Sequence, residues 1–247
     1  MNLYGLIGYP LSHSFSKKYF TEKFEKENIK ESKYEMFEIK DIAELPNIIK
    51  NNPNLKGLNV TIPYKEAVLK YLDKTDESVK KIKAVNVIKI NKEGQLVGYN
   101  SDYHGFKKSL LKFLPAEYSG IKALVLGSGG AAKAVKATLE DLAIPFKIVS
   151  RKKEGTNLSY EQVTKEVTDA YKLIINTTPL GMYPNIKDSP YLPYTSITPE
   201  HYLFDLVYNP LETLFLVKGK SKGARTKGGL EMLHFQAEKA WEIWNNE

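Results

Sequence analysis

A glycine-rich turn is the clearest chemical signal in this chain of 247 residues. Residues 127–132 read GSGGAA and stand between an apolar stretch and a run typical of a helix. In the pattern G-x-G-x-x-A, the first glycine permits a tight turn, the second lets backbone approach a pyrophosphate, and the small last residue allows close packing of helix against strand. Backbone N–H groups at the helix start would bind phosphate oxygens. The pattern predicts a dinucleotide site; the alternative is a turn that serves packing only.

The residues after the next apolar stretch favour one dinucleotide over the other. Residues 146–149 lead into Ser150, Arg151, Lys152 and Lys153. An NAD site usually has Asp or Glu at this step, where it holds the ribose hydroxyls. An acid would repel a 2′-phosphate, whereas an arginine stacks on adenine and pairs with that phosphate. We therefore predict NADP rather than NAD; the alternative is a solvated basic turn.

Polar side chains recur where strands are expected to end in the first hundred residues. Ser14 and Ser16 stand at a strand-to-helix turn, where hydroxyls and the helix start favour a carboxylate; capping of that helix is the alternative. Asparagine is uncommon within strands, so Asn86 is expected to have a partner or a ligand. Ligands of α/β folds lie beyond the carboxyl ends of strands. A second ligand site is therefore expected around Thr61, Lys65, Asn86 and Asp102.

Short apolar runs that alternate with helical patterns predict the elements that position these residues. Strands are predicted at 3–7, 34–39, 57–61, 122–126, 146–149, 173–176 and 202–207, and a hairpin at 85–99. Helices are predicted at 16–28, 42–50, 103–113, 131–142 and 230–245, and an ordered loop at 179–199. The alternation predicts an α/β architecture with parallel sheets, divided near residue 101.

Composition excludes several classes of protein. The chain has no cysteine, which rules out disulfides, zinc–thiolate sites and thiol catalysis, and we expect no metal site. It has no apolar run long enough to span a membrane and no basic-then-apolar start typical of a signal peptide, so a cytoplasmic protein is expected. The net charge of +7 suits anionic partners without separating nucleic acid from nucleotides or small acids.

Eight motifs in order along the chain resemble those of the shikimate dehydrogenase family. They are residues 14–16 (SFS), 59–65 (NVTIPYK), 84–86 (AVN), 100–105 (NSDYHG), 127–131 (GSGGA), 176–182 (NTTPLGM), 205–210 (DLVYNP) and 229–236 (GLEMLHFQ). The resemblance implies reversible NADP-dependent reduction of 3-dehydroshikimate to shikimate. It also implies two domains with a cleft between them: a substrate-binding α/β domain (residues 1–101 and 229–247) and a Rossmann-like NADP-binding domain (residues 102–228).

The resemblance assigns roles by position. Ser14 and Ser16 would bind the substrate carboxylate, with Tyr208 near it, and Thr61, Asn86 and Gln236 would bind its hydroxyls or the carboxylate side. Lys65 and Asp102 would face the reacting carbon, the lysine as acid/base with the aspartate beside it. The cofactor residues would be Glu77, Gly127, Ser128, Gly129, Gly130, Ala131, Ser150, Arg151, Lys152, Thr178, Leu206, Gly229 and Met232.

Three departures from the family pattern concern the cofactor side. The usual Asn-Arg-Thr is Ser150-Arg151-Lys152, a second basic residue is replaced by Gly155, and Glu231 stands where glycine is common. Lys152 or Lys153 would compensate for the missing cation.

Two alternatives and the expected partners complete the interpretation. One alternative is a quinate/shikimate dehydrogenase that uses NAD. The basic residues at 150–153 disfavour this alternative. The other is a nucleic-acid-binding or regulatory protein, for which residues 218–227 carry five cations; the preferred interpretation of that segment is a solvated loop. The expected partner is a small-molecule substrate, with no nucleic acid and no membrane, and the expected assembly is a monomer or a homodimer.

Overall fold

The computed structural model describes residues 1–11, 15–151, 155 and 157–246. The chain forms two compact units. The N-terminal unit comprises Met1–Ser101 and Ala237–Glu247, and the second unit comprises Asp102–Gln236. Each unit is an α/β structure built on its own sheet, which confirms the predicted fold class.

The N-terminal unit is built on a six-stranded mixed sheet with the order β2-β1-β3-β5-β6-β4. The strands are β1 (Asn2–Gly8), β2 (Ser32–Glu38), β3 (Leu55–Val60), β4 (Lys74–Thr75), β5 (Val87–Ile90) and β6 (Leu96–Tyr99). The β1, β2 and β3 strands are parallel, while β5 runs antiparallel to β3 and to β6. The carboxyl ends of β1, β2, β3 and β6 therefore meet the start of β5 at one edge of the sheet.

Successive side chains of a strand point to opposite faces of the sheet, so this sheet contributes to two apolar layers. Ile7 of β1 lies in one layer and Leu6 in the other. The helices of the unit are α1 (Phe15–Lys26), α2 (Leu45–Asn51) and α3 (Glu77–Ile82). Phe20 and Phe24, one turn apart on α1, are buried in the second layer, so the apolar face predicted for this helix is the one that packs on the sheet.

The second unit is built on a five-stranded parallel sheet with the order β11-β10-β9-β7-β8. The strands are β7 (Ala123–Leu126), β8 (Phe146–Val149), β9 (Leu173–Asn176), β10 (Tyr202–Asp205) and β11 (Arg225–Lys227). The chain moves outward from β7 to β8 and then returns to the other side of β7. This reversal is the topological switch point of a Rossmann-like sheet, beside which ligands bind.

Helices of the second unit cover both faces of this sheet. They are α4 (Ser101–Phe113), α5 (Gly130–Asp141), α6 (Lys165–Ala170), α7 (Leu214–Lys220) and α8 (Leu230–Asn245). Ala123 and Val125 of β7 pack with α4 and α5 residues, whereas Leu124 and Leu126 pack with α7 residues. Because β7 is buried on both faces, it holds the glycine turn that follows it in a fixed position.

The C-terminal helix α8 contributes to both units. Met232 is buried in the core of the second unit, and Ala237, Ala240 and Trp244 are buried in the core of the N-terminal unit. The contact boundary after Gln236 lies within this helix, whereas the functional division expected from the sequence starts at residue 229.

Several short elements differ from the sequence-based prediction. The hairpin and helix 230–245 are confirmed, but α3, α6, α7, β4 and β11 were not predicted. The basic segment 218–227 is not a loop, because its ends lie in α7 and β11. The N-terminal sheet is mixed rather than parallel, since the hairpin strands join it antiparallel. Among the described residues, none of the helices has the length and apolar character that a membrane span requires.

Candidate active site

The glycine turn after β7 takes a backbone conformation that favours glycine. Gly127 has φ +104°, and a Cβ there would lie 2.8 Å from Thr177 Oγ1. Its N–H donates to the Val149 carbonyl of the neighbouring strand at 2.8 Å. Any larger residue at Gly127 would both strain the turn and collide with the loop after β9.

Helix α5 starts immediately after this turn with an open N-terminus. Gly129 is the N-cap residue and makes no side-chain capping hydrogen bond. A Cβ added at Gly129 or Gly130 would meet no atom within 4 Å, so ligand atoms can approach the backbone here. The first N–H groups of a 12-residue helix, together with its dipole, suit an anion at this position. The turn therefore fits a pyrophosphate.

A pocket of about 460 Å³ lies at the carboxyl edge of the parallel sheet, within the second unit. Its walls are the glycine turn, Ser150 and Arg151 after β8, the loop 177–180 after β9, and Tyr160. Burial raises the pKa of Tyr160, and the charge of Arg151 acts in the opposite direction. Among its described lining residues the pocket has one cation and no carboxylate, which suits a phosphorylated ribose.

Some of the predicted cofactor residues line this pocket, and others lie next to it or elsewhere. Its lining includes Gly127, Ser128, Gly129, Ser150, Arg151 and Thr178. Gly130 and Ala131 form the first turn of α5 next to it. Lys152, like Ser14 among the substrate residues, lies outside the described residues.

Three further predicted cofactor residues of the second unit lie elsewhere in it. Gly229 packs on Leu206, because a Cβ at Gly229 would lie 2.2 Å from the Leu206 carbonyl oxygen. Its N–H donates to the Val207 carbonyl at 3.0 Å. Met232 is buried in the apolar core beside α4 and α5. Glu77 belongs to the N-terminal unit, where its exposed carboxylate pairs with Lys80.

Buried polar side chains in the N-terminal unit form a hydrogen-bonded chain that connects β2, β3 and the residues before β5. The Tyr34 hydroxyl donates to Asn59 Oδ1 at 2.7 Å and also makes a side-chain hydrogen bond with Ser16. Asn59 Nδ2 donates to the Asn86 carbonyl at 3.4 Å. Asn86 Oδ1 in turn accepts from the Ser101 N–H at 2.6 Å. The chain thus connects two predicted substrate residues, Ser16 and Asn86, through residues that were not predicted.

Thr61 and Lys65 follow β3 at the same edge. The Thr61 N–H donates to the Ile7 carbonyl at 3.0 Å, and the Lys65 carbonyl accepts from the Val85 N–H at 2.7 Å. Val85 immediately precedes Asn86, so the backbone at Lys65 is held next to the backbone at Asn86. Both Thr61 and Lys65 are partly exposed, as a residue that contacts a ligand must be.

The remaining predicted substrate residues belong to the second unit. Asp102 lies in the first turn of α4 rather than capping it, because the helix begins at Ser101. One turn later, Gly105 lets α4 approach α8: a Cβ at Gly105 would lie 2.6 Å from the Met232 carbonyl oxygen and 3.0 Å from Gln236 Cβ. Gln236 is buried. Tyr208 is half-buried, and burial raises its pKa.

The cations of segment 218–227 are divided among separate partners. Lys218 Nζ donates to Ser189 Oγ at 2.8 Å and lies over the Tyr194 ring. Lys220 pairs with Glu212 at 2.9 Å, and Arg225 lies over the Tyr202 ring. These three side chains bind partners within the second unit.

Glu231, which replaces a common glycine, ties three elements of the second unit together. Its carboxylate pairs with Lys227 of β11 and with Lys112 of α4 at 3.5 Å, and accepts from Ser109 Oγ at 3.1 Å. Burial raises the pKa of Glu231, but Lys227, Ser109 and Lys112 together outweigh it and hold this pKa below its usual value. The residue therefore stabilises the start of α8.

Sequence reasoning missed the residues that support these sites. Tyr34, Asn59, Asn176 and Asp205 are buried and polar, and each makes at least one side-chain hydrogen bond. Asn59, Asn176 and Asp205 lie inside motifs that were recognised, two residues from an assigned position or next to one. Asparagine and aspartate at the ends of otherwise apolar strands were the signal available for Asn176 and Asp205.

Comparison with known proteins gives consistent matches over the whole chain. Residues 6–88 match the family model described as the shikimate dehydrogenase substrate binding domain. The shikimate dehydrogenase (NADP(+)) of Clostridium beijerinckii is 42% identical over 99% of this chain and 92% of its own. The crystal structure of shikimate dehydrogenase 1 from Peptoclostridium difficile is 42% identical with a TM-score of 0.84, and covers 99% of this chain and 91% of its own. A chorismate mutase/shikimate 5-dehydrogenase fusion protein from Clostridium acetobutylicum is 38% identical with a TM-score of 0.87, over the same shares.

Proposed function

The chain belongs to the shikimate dehydrogenase family, and we propose that it catalyses the reversible, NADPH-dependent reduction of 3-dehydroshikimate to shikimate. The observation that carries this proposal is the pocket of the second unit, in which an open glycine turn and Arg151 lie at the switch point of a parallel sheet. Its charge and backbone suit NADP. Aromatic amino acid biosynthesis is the metabolic setting that follows from the reaction.

The second unit would hold the cofactor. The backbone of Gly127–Ala131 binds the pyrophosphate, Arg151 pairs with the 2′-phosphate, and Ser150 and Thr178 line the pocket walls. Lys152 would add a second cation to this end, Leu206 and Gly229 line the nicotinamide, and Glu77 and Met232 are the remaining cofactor residues in this proposal. When bound, NADPH supplies the hydride that the reduction requires.

The substrate side needs groups for one carboxylate and several hydroxyls. Ser14 and Ser16 bind the carboxylate, with Tyr208 beside it. Thr61, Asn86 and Gln236 offer a hydroxyl and two amides to the ring substituents, which matches the polarity of a polyhydroxylated ring.

Lys65 is the proposed proton donor to the carbonyl oxygen. As that oxygen gains negative charge in the transition state, an ammonium group beside it provides both a proton and electrostatic stabilisation. Asp102 orients the ammonium and accepts a hydrogen bond from the neighbouring hydroxyl. In the reverse direction, neutral Lys65 removes the proton from the alcohol.

We propose the same functional division as the sequence suggests: residues 1–101 and 229–247 bind substrate, and residues 102–228 bind NADP. The protein acts in the cytoplasm on small molecules, as a monomer or a homodimer, with neither nucleic acid nor membrane as a partner. The separate partners of the cations in segment 218–227 support the exclusion of nucleic acid.

A four-way initial-rate assay tests the proposal. The purified protein is supplied with shikimate or quinate, each with NADP⁺ or NAD⁺, and formation of the reduced cofactor is followed by its absorbance. We expect shikimate with NADP⁺ to give the highest kcat/KM. A higher value for quinate with NAD⁺ would overturn both the substrate and the cofactor assignment. Salt-sensitive DNA binding without turnover would favour the nucleic-acid alternative.

A further inference from the structure

A fully buried carboxylate lies beneath the cofactor pocket. Asp205, the last residue of β10, has no exposed surface. Its Oδ1 accepts from the Val207 N–H at 3.0 Å and from Asn176 Nδ2 at 3.0 Å. Its Oδ2 accepts from Thr213 Oγ1 at 2.5 Å. One side chain therefore joins the ends of two adjacent strands and the N-cap residue of α7.

Asn176 links Asp205 to the wall of the pocket through its own hydrogen bonds. Its Oδ1 accepts from the Thr178 N–H at 3.0 Å and from Thr178 Oγ1 at 2.6 Å. Thr178 Oγ1 in turn accepts from the Leu180 N–H at 3.3 Å. Thr178 and Leu180 both line the pocket. The network therefore runs from Asp205 through Asn176 to the loop 177–180.

Such a carboxylate is costly to bury, which calls for a reason beyond stability. Burial raises the pKa of Asp205 to about 6, even though three donors hydrogen-bond to the carboxylate. Buried ionisable groups often destabilise a fold relative to apolar replacements, and they concentrate at functional sites. No catalytic step of the proposed reaction uses Asp205. Its functional contribution must therefore come from the groups that it holds in position.

We infer that Asp205 is a positioning residue for the cofactor: it fixes the loop 177–180 against the pocket through Asn176 and the segment after β10 through the Val207 N–H. A loop that is already ordered loses less conformational freedom when the dinucleotide binds, which raises affinity. This inference rests on the proposed NADP site and adds residues that the motif comparison left without a role. The substrate residues of the N-terminal unit take no part in it.

Two substitutions at Asp205 separate its charge from its hydrogen bonds. Asp205→Leu removes every acceptor, and we expect NADP⁺ to bind about tenfold more weakly by calorimetry. Asp205→Asn keeps Oδ1 for the Val207 N–H and for Asn176, so its NADP⁺ affinity should stay within about threefold of the wild type. The KM for shikimate should stay unchanged.

Amide hydrogen exchange without any ligand gives an independent readout. In Asp205→Leu the amides of Val207, Thr178 and Leu180 should exchange at least tenfold faster, while the Gly127 amide, which donates to Val149, keeps its rate. Thr168→Val is the matched control, because it deletes a fully buried polar group of the same unit, a hydroxyl that among the described residues bonds to the Thr164 and Lys165 carbonyls. It should lower stability without changing NADP⁺ affinity.

The outcomes distinguish the inference from the function on which it rests. If the wild type does not bind NADP⁺, the proposed function fails. If the wild type binds NADP⁺ and Asp205→Leu binds it equally well, the positioning role is wrong while the function stands. Should Asp205→Leu fail to fold, Asn176→Ala decides the matter, since it cuts the same connection at Thr178: unchanged NADP⁺ affinity in that variant overturns the inference.

Discussion

At the scale of single residues, Lys65 carries the chemistry of the proposed reaction. A general acid acts mainly in the transition state, so Lys65→Ala should lower kcat by 10²-fold or more, the usual contribution of acid–base catalysis. The KM for shikimate should change by only a few-fold. Initial rates at saturating NADP⁺ measure both constants.

Lys70→Ala is the matched control for Lys65, because Lys70 is an exposed lysine of the same unit that lies over the Tyr71 ring. It should leave both constants unchanged. A large rise in KM with an unchanged kcat for Lys65→Ala would instead assign Lys65 to binding.

Arg151 determines the choice between the two dinucleotides in this proposal. Removal of its guanidinium by Arg151→Ala should raise the KM for NADP⁺ about tenfold or more and leave the weaker use of NAD⁺ nearly unaltered. The ratio of kcat/KM values for the two cofactors measures this. Lys147→Ala, which removes an exposed cation of β8, serves as the control. Equal losses with both cofactors would contradict a role at the 2′-phosphate.

Tyr34 shows how a buried residue can matter to a ligand that it does not touch. Tyr34→Phe deletes the hydroxyl that joins Ser16 and Asn59, and should lower the free energy of unfolding by about 1 kcal/mol, the usual value of such a hydrogen bond. It should also raise the KM for shikimate several-fold, because Ser16 loses its support, while the KM for NADP⁺ stays constant.

Tyr64→Phe provides the comparison for Tyr34→Phe within the same unit. The buried Tyr64 hydroxyl donates to the Ile39 carbonyl at 2.7 Å, away from Ser16 and Asn59. Denaturant unfolding should show a similar loss of stability for the two variants, whereas steady-state kinetics should differ between them. Equal KM values for shikimate would restrict Tyr34 to a structural role.

At the scale of elements, the sequence predicted those that have a strong pattern of their own. Helix 230–245 has apolar residues at helical spacing over four turns, and the hairpin is marked by its turn. By contrast, β11 consists of Arg225–Lys227 with no apolar residue, and only the neighbouring β10 makes it a strand. Local sequence does not predict tertiary pairing of this kind. It also does not predict that the short helix α7 is buried.

A buried histidine connects two of these elements and gives the fold a pH dependence. His201 has no exposed surface, and its ring nitrogens contact the Thr168 carbonyl of α6 and the Thr198 N–H, each at 3.0 Å. Burial lowers its pKa below 6.5, and Lys172 acts in the same direction. Unfolding therefore binds a proton below pH 6.5, so stability falls as pH falls, by at most about 1.4 kcal/mol per pH unit.

His201→Gln tests this pH dependence. Urea unfolding at pH 7 and pH 5 should show that the variant is less stable than the wild type at pH 7, and that the difference narrows at pH 5. Asp205 remains in both proteins and contributes equally to both. A constant difference across this range would show that His201 does not titrate on unfolding.

At the scale of the whole molecule, residues of the candidate site could be predicted from sequence motifs. The buried polar residues that hold them in position could not. The glycine turn was predictable because φ and backbone access select glycine at fixed spacing. Asp205 and Tyr34 were not, because a buried polar group is identified by its partners, which come from distant strands and helices. The charge of +7 was equally uninformative, since cations of its densest segment, Lys218 and Arg225 among them, bind within the second unit.

The two units should respond to the two ligands separately, which tests the proposed division of labour. Hydrogen exchange of the wild type with saturating NADP⁺ should slow at amides after β7, β8 and β9, and shikimate should slow amides near Ser16, Thr61 and Asn86. At one hundred times its dissociation constant, a ligand stabilises the state that binds it by about 2.7 kcal/mol. Regions whose exchange requires opening of that site should slow accordingly, up to about a hundredfold. NADP⁺ protection confined to the N-terminal unit would reverse the assignment of the two sites.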